Sequence, residues 1–435
     1  DVNMSEWEND SATSRFEKEG YQERYIGFVK SLTTKPVVGV GRITSPDTMV
    51  SMIKRGIVDM IGSARPSIAD PFLPKKIEEG RIDEIRECIG CNICVAGDWL
   101  SVPMRCTQNA TMGEEWRRGW HPEKIESNKS NDGVLVVGGG PAGLECALML
   151  GKRGYRVILA EKTEELGGRI SNEAKLPGLS EWGRVKDYRI RMLDKLDNVK
   201  IYLGSHLSAE DILEFSEEGK FGFSHVFLAT GSKWRKDGIA RENREPIPGL
   251  GNILVLTADD LFVNVSVKGK VVIFDDEHYY MGGVLAEKLR NEGHNVSLVT
   301  PAPDISNWTH NTMEQGRIQK RLLEIGVKLF PQHNLNSVQK GAVELSCVFT
   351  DNKTHFDCES LVLVTERIPN DEIYQNLQNE ISNFPKLRIK TFQRIGDCLA
   401  PGIIANAVHS GHLAAREFEN VNTEEVPFLR ERVKI

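Results

Sequence analysis

The chain has 435 residues, enough for two to four domains. With 40% hydrophobic and 27% charged residues it reads as a globular protein, and a net charge of -7 without basic runs argues against nucleic acid or an anionic membrane as partner. No apolar stretch is long enough to span a membrane, no signal-peptide pattern is present, and half of the eight cysteines are scattered, so a reducing, cytoplasmic setting is expected.

Residues 1–80 alternate between helical and extended patterns. Gly20 to Thr33 carries Tyr21, Tyr25, Phe28, Val29 and Leu32 at helical spacing. Pro36 to Val40 is a short apolar strand that ends in Gly41 and Arg42. Ser45, with Pro46 behind it, predicts a helix start capped by the serine hydroxyl and a stop at Gly56. Val58 to Gly62 is a second strand, followed by Ser63, Ala64, Arg65 and Pro66. Two successive parallel βα units fit the tail of a (β/α)8 barrel, where the loops after the last strands commonly hold a phosphate. Backbone near Gly41, Gly62 and Ala64 would approach it, and Arg42 and Arg65 would supply charge; ion pairing within the protein is the competing role. Two strands close no barrel, so the chain is expected to begin inside a domain.

Residues 81–131 carry Cys88, Cys91 and Cys94, with two residues between each and the next, and Cys106 farther on. Three thiolates so spaced wrap one corner of a 4Fe-4S cluster and a distant fourth closes it. Structural zinc is the alternative, but it more often uses separated cysteine pairs or Cys/His mixtures. Ser127 to Asp132 is a polar, turn-rich linker.

From Gly133 the pattern becomes that of a dinucleotide fold. Strand Val134 to Val137 leads into Gly138, Gly140 and Gly143, then helix Leu144 to Lys152, then strand Tyr155 to Ala160 ending in Glu161. The glycines would admit a pyrophosphate over the helix N-terminus and the carboxylate would take ribose hydroxyls. Arg169 follows in Leu-Gly-Gly-Arg. A second such unit starts at Lys270. Counting back from Gly293 as far as Gly138 lies from Gly154 reaches Glu277, and Tyr279 fills the next glycine position; only Gly282 is kept. With Asp275, Asp276 and Glu277 where a pyrophosphate would lie, this unit is expected to bind NAD(P) poorly. Ile395 to Asp397 and helix Ile404 to Glu417 look like a return to the first nucleotide domain. The expected fold is therefore α/β. A barrel tail (1–80) leads to an iron–sulfur segment (81–131), then an ADP- or FAD-type Rossmann domain (132–249 with 371–435). A degenerate NAD(P)-type Rossmann domain (250–370) is inserted in the latter.

The order of CIGCNIC, Cys-Thr-Gln-Asn (106–109), Gly-Glu-Glu-Trp-Arg-Arg-Gly-Trp-His-Pro-Glu (113–123) and GGGPAG resembles the trimethylamine and dimethylamine dehydrogenase family. That family lies in the wider group of old-yellow-enzyme-type flavoproteins that includes 2,4-dienoyl-CoA reductase. Pro66 to Pro74 and Leu285 to Leu289 resemble it too. The resemblance implies FMN in the barrel, a 4Fe-4S cluster and ADP at the glycine loop. It implies oxidation of a small methylated amine to an iminium, hydrolysed to an aldehyde and a smaller amine, with electrons passing singly to an electron-transferring flavoprotein. It maps a substrate-facing Trp and an Asp onto Trp7 and Asp10, and a second such Trp onto Trp99. A homodimer is also expected. Ring faces suit a methylated ammonium that hydrogen bonds serve poorly. Packing for Trp7 and a helix N-cap for Asp10 are the plainer alternatives. Two other functions compete: an NAD(P)H-dependent enoate or dienoyl-CoA reductase, which needs an intact second fingerprint, and a cofactor-holding piece without catalysis.

Overall fold

A computed structural model describes residues 1–4, 6–216, 222–350, 352–381 and 389–419; residues 420–435 of the expected last segment lie outside it. The elements that position the sites run in chain order. They begin with α1 (Trp7–Asp10), β1 (Val38–Gly39), α2 (Pro46–Lys54), β2 (Met60–Ile61) and α3 (Ile93–Trp99). The first nucleotide-type fold contributes β3 (Gly133–Val137), α4 (Pro141–Lys152), β4 (Arg156–Ala160), α5 (Arg184–Leu193), β5 (Val199–Tyr202) and β6 (Phe223–Leu228). Next come β7 (Leu254–Thr257), β8 (Lys270–Asp275), α6 (Met281–Asn291), β9 (Asn295–Val299) and β10 (Lys328–Phe330). The chain continues through β11 (His333–Gln339), β12 (Ala342–Cys347), β13 (Lys353–Asp357), β14 (Ser360–Val364), β15 (Thr391–Arg394) and α7 (Ile404–Glu417). Among the described residues no helix is long and apolar enough to cross a membrane.

Contacts divide the chain into two units, one of residues 1–174, 181–231 and 369–435, the other of 175–180 and 232–368. In the first unit β1 and β2 pair in parallel and Val2 bridges to Gly39, also in parallel. Its main sheet has the order β15-β6-β3-β4-β5, all parallel. Strand alternation divides the core: Val134 and Val136 face α4 and α7, while Leu135 and Val137 join Ile158, Val226 and Leu228 on the other face. The second unit repeats the plan with the parallel order β10-β9-β8-β14-β7, plus the antiparallel sheet β11-β12-β13.

Two local expectations are corrected. The stretch 20–33 is not one helix: it breaks into a turn at Glu23–Ile26 and a 3-10 turn at Val29–Leu32 on either side of Gly27. Tyr21 and Ile26 are buried, whereas Tyr25, Phe28 and Leu32 stand exposed, so the apolar spacing does not mark a buried face. Helix α2 starts at Pro46 as predicted, but the Ser45 hydroxyl does not cap it. The Glu19 carboxylate stands there instead, accepting from the backbone N–H of Thr44 (2.9 Å) and Ser45 (2.8 Å).

Candidate functional site

The four grouped cysteines converge. Cys88, Cys91, Cys94 and Cys106 line one cavity together with Ile68, Ile89, Thr107 and the side chain of Arg65. Local backbone makes this possible: Gly90 (φ 61°) and Asn92 (φ 56°) both turn left-handed, folding the cysteine run around a centre before α3 begins. N–H and O–H groups point at sulfur. Gly90 donates to Cys88 Sγ (3.3 Å), Ile93 to Cys91, and Gln108 and Asn109 to Cys106; Thr107 Oγ1 lies 3.3 Å from Cys91 Sγ. Burial pushes the Cys91 thiol up to about 12 and Cys106 to about 11, and raises Cys94 as well. Without a bound cation these sulfurs stay protonated, so a set this buried suits a guest that supplies positive charge.

Arg42 and Arg65 are both committed inside the protein. Arg42, fully buried, pairs with Glu181 (2.5 Å) and donates to Glu17 O. Arg65 donates to the carbonyls of Ser11 and Ala12 (3.0 Å each) and to Asn92 Oδ1 (2.7 Å). Asn92 Nδ2 in turn donates to Ser11 O. This ties the loop after β2 to the cysteine turn.

Trp7 and Trp99, 92 positions apart in sequence, meet edge to face with ring centroids 5.7 Å apart. Both are exposed, at 44% and 56%. Asp10 is not a helix N-cap: it ends α1, and its Oδ1 accepts from Met4 N (2.7 Å) and Gln22 Nε2 (3.3 Å).

At the first glycine loop the three glycines have different tasks. Gly138 has φ 106°, and a Cβ there would lie 2.3 Å from Ala229 O. A Cβ on Gly143 would lie 1.9 Å from Gly138 O. A Cβ on Gly140 would meet nothing within 4 Å. The first two are needed by the fold itself, while Gly140 leaves space. Helix α4 begins there with Pro141 at its first turn and no side-chain cap, so its first N–H groups remain for an anion. Glu161, at the end of β4, accepts from Gly139 N (2.6 Å) and from Thr163 N and Oγ1 (2.9 Å each). Arg169 pairs with Glu173 (3.1 Å).

The equivalent loop of the second unit is filled from within. Asp275, fully buried, accepts from Glu277 N (3.2 Å) and His278 N (2.9 Å), the kind of backbone donors a phosphate would use. Asp276 accepts from Glu242 N (2.9 Å), and Tyr279 is buried against Tyr280 and Trp308, with centroids 4.8 and 4.7 Å away. A Cβ on Gly282 would meet the Asp275 carboxylate at 2.4 Å. The second fingerprint is thus lost in space as well as in sequence.

Residues 132–411 match the family described as pyridine nucleotide-disulphide oxidoreductase. The chain belongs to that family. Residues 2–84 match the NADH:flavin oxidoreductase / NADH oxidase family, and the two matches together point to flavin binding. The chain is 40% identical over 463 aligned positions to dimethylamine dehydrogenase from Hyphomicrobium sp., covering 99% of this chain and 62% of that protein. Among solved structures, histamine dehydrogenase from Rhizobium sp. 4-9 superposes with a TM-score of 0.95 at 47% identity, over 99% of this chain and 62% of that one. The 6-hydroxypseudooxynicotine amine oxidase from Pseudomonas geniculata N1 gives 0.91 at 46% identity, over 96% and 61%. The resemblance to amine dehydrogenases expected from the motifs thus recurs in similar proteins that carry that name. The chain spans about three-fifths of the length of these relatives.

One part of this structure was not visible in sequence. Arg189 on α5, fully buried, pairs with Glu145 on α4 (2.7 Å), and Glu145 also meets His412 Nδ1 (2.7 Å). Burial would raise the Glu145 carboxyl, but Arg189 and His412 outweigh it and hold it at about 2. A Glu and an Arg on two different helices carry no pattern that would have announced this pair.

Proposed function

We propose that this chain belongs to an iron–sulfur flavoprotein amine dehydrogenase that oxidises a small methylated amine such as trimethylamine or dimethylamine. The observation that carries the reading is the single buried cavity lined by Cys88, Cys91, Cys94 and Cys106, in a chain whose similar proteins include dimethylamine and histamine dehydrogenases. Four cysteines would ligate a 4Fe-4S cluster, with N–H···S bonds from Gly90, Ile93, Gln108 and Asn109 tuning it. FMN would lie at the loops after β1 and β2, its phosphate held by backbone near Gly41, Gly62 and Ala64, since Arg42 and Arg65 have protein partners. When bound, the flavin would supply a two-electron oxidant for the amine, whose α-carbon C–H bond breaks as its C–N bond becomes the iminium double bond, and the cluster would supply a one-electron outlet. Trp7 and Trp99 would present ring faces to the substrate cation. Asp10 would orient groups of the remaining barrel.

The glycine loop would hold ADP, or FAD, with Gly140 leaving room for the pyrophosphate and Glu161 facing the ribose. The acceptor would be an electron-transferring flavoprotein, and the protein a cytoplasmic homodimer. The reductase alternative needs a nicotinamide site, and the filled loop of the second unit disfavours it.

Two outcomes are expected. Gly140→Val should fold normally yet lose bound adenine nucleotide on extraction. Gly143→Ala should cost about 1–3 kcal/mol by overpacking, read as a lowered Tm. Equal effects at both positions would contradict the separation of tasks. A panel of amines with an artificial one-electron acceptor, on full-length protein, tests the function. In that panel Trp7→Leu should weaken methylated cations by about 0.5–2 kcal/mol in apparent KM and neutral amines less. Equal losses for both would reduce Trp7 to packing.

A further inference from the structure

Of the Cys-Thr-Gln-Asn run at 106–109, only the cysteine has an obvious role in the function above. The structure assigns one to Gln108. Its backbone N–H donates to Cys106 Sγ. Its side-chain Nε2 donates to Glu87 O (3.1 Å), the carbonyl just before Cys88, and to Arg184 O (3.2 Å). One buried amide thus joins the segment carrying Cys106 to the start of the run carrying Cys88. The amide is itself held: Arg189 donates through Nη1 to Gln108 Oε1 (3.0 Å) and through Nη2 to Gln108 O (3.2 Å). Arg189 is fixed by Val185 O (2.8 Å) and by Glu145 on the helix that follows the glycine loop. Arg184, one helical turn earlier, donates to Cys88 O (3.1 Å) and pairs with Glu87 (3.3 Å).

Every polar atom of the Gln108 amide is bonded and the residue is 1% exposed. Its side-chain donors go to carbonyls and not to sulfur, so the Gln108 side chain is a positioning group. We propose that Gln108, clamped by the Arg189–Glu145 pair, sets the separation of the Cys88 and Cys106 sulfurs. Through the Gln108 N–H···S bond the clamp also sets the electron-transfer properties of the cluster. The clamp makes helix α4 of the nucleotide fold part of the support of the metal site. This inference rests on the 4Fe-4S reading.

The test is Gln108→Met in full-length protein, purified anaerobically. Methionine keeps the volume and the backbone N–H but removes both side-chain donors and the acceptor. Gln108→Glu keeps the bond to Arg189 and loses only the donors to Glu87 O and Arg184 O. It serves if the methionine variant fails to fold. Either variant should still bind iron. The reduced cluster should show altered EPR g values and a shifted midpoint potential, and a chelator should strip its iron at least tenfold faster. Wild-type protein without iron would overturn the cluster reading itself. Wild-type protein with a cluster, and variants whose spectrum, potential and stripping rate match it, would overturn the role of Gln108 alone.

Discussion

Full-length protein carrying Cys91→Ala is expected to lose its iron and acid-labile sulfide, from about four of each per chain, together with the visible and EPR signals of the cluster. The loss should be close to complete. Cys91 sits between the two left-handed turns at Gly90 and Asn92, and the side chain 3.3 Å from its sulfur, Thr107, offers only a hydroxyl in place of the thiolate. The three remaining thiols are buried or half-buried, and burial raises those of Cys94 and Cys106, so these two hold protons and not metal once the guest has gone. The peptide around them is still tied by Thr44 to Cys88 N, by Arg65 to Asn92 and by Gln108 to Glu87. Far-UV circular dichroism should therefore stay near wild type while Tm falls. Retained iron, or stoichiometric zinc in wild-type protein, would contradict the assignment.

Asp275→Asn is expected to stabilise the second unit above neutral pH by up to about 4 kcal/mol. Burial, with the charge of Glu277 adding to it, raises the Asp275 carboxyl from 3.8 to about 7. A carboxyl raised in the folded state keeps its proton there while the unfolded chain releases it. Folding stability is then whole below about 4 and is lost as pH climbs toward 7, with no further change beyond. Three pKa units correspond to about 4 kcal/mol. Asparagine has no proton to lose, and its oxygen still accepts from Glu277 N and His278 N, so the variant should lack this slope. Urea midpoints of both proteins at pH 5 and pH 8 check it. A wild-type-to-variant difference that is the same at both values would contradict the buried-acid account.

What the sequence disclosed depended on how local the cause was. The glycines at 138, 140 and 143 and the acid at 161 sit at fixed distances from one strand and one helix, so the loop could be read from one segment. The cysteines at 88, 91 and 94 were legible for the same reason. The loss of the second fingerprint was legible at Glu277 and Tyr279, because one missing glycine is enough to close a loop. The partners of long side chains were not. Arg42 finds Glu181 and Arg65 finds Asn92, choices made only when distant segments fold together. Glu19, not Ser45, meets the N–H groups at the start of α2, although a serine before a proline is the usual signal. Apolar spacing over 20–33 misled because Phe28 and Leu32 are exposed in this chain, so period alone did not identify a buried helix face. The Gln108–Arg189–Glu145 clamp joins three segments by single residues, and such a contact leaves no periodic trace.

The most direct test of the whole account is anaerobic stopped-flow reduction of the flavin in full-length protein, comparing a methylated amine with NADH and NADPH. Only one of the two nucleotide folds keeps an open glycine loop, and the other has Asp275 on the backbone donors that a dinucleotide would use. On the proposed function, electrons then enter from the amine. Rapid bleaching of the flavin by the amine, followed by one-electron redistribution to the cluster and no reduction by either nicotinamide, is the predicted result. Rapid reduction by NADH or NADPH would contradict it and restore the reductase reading.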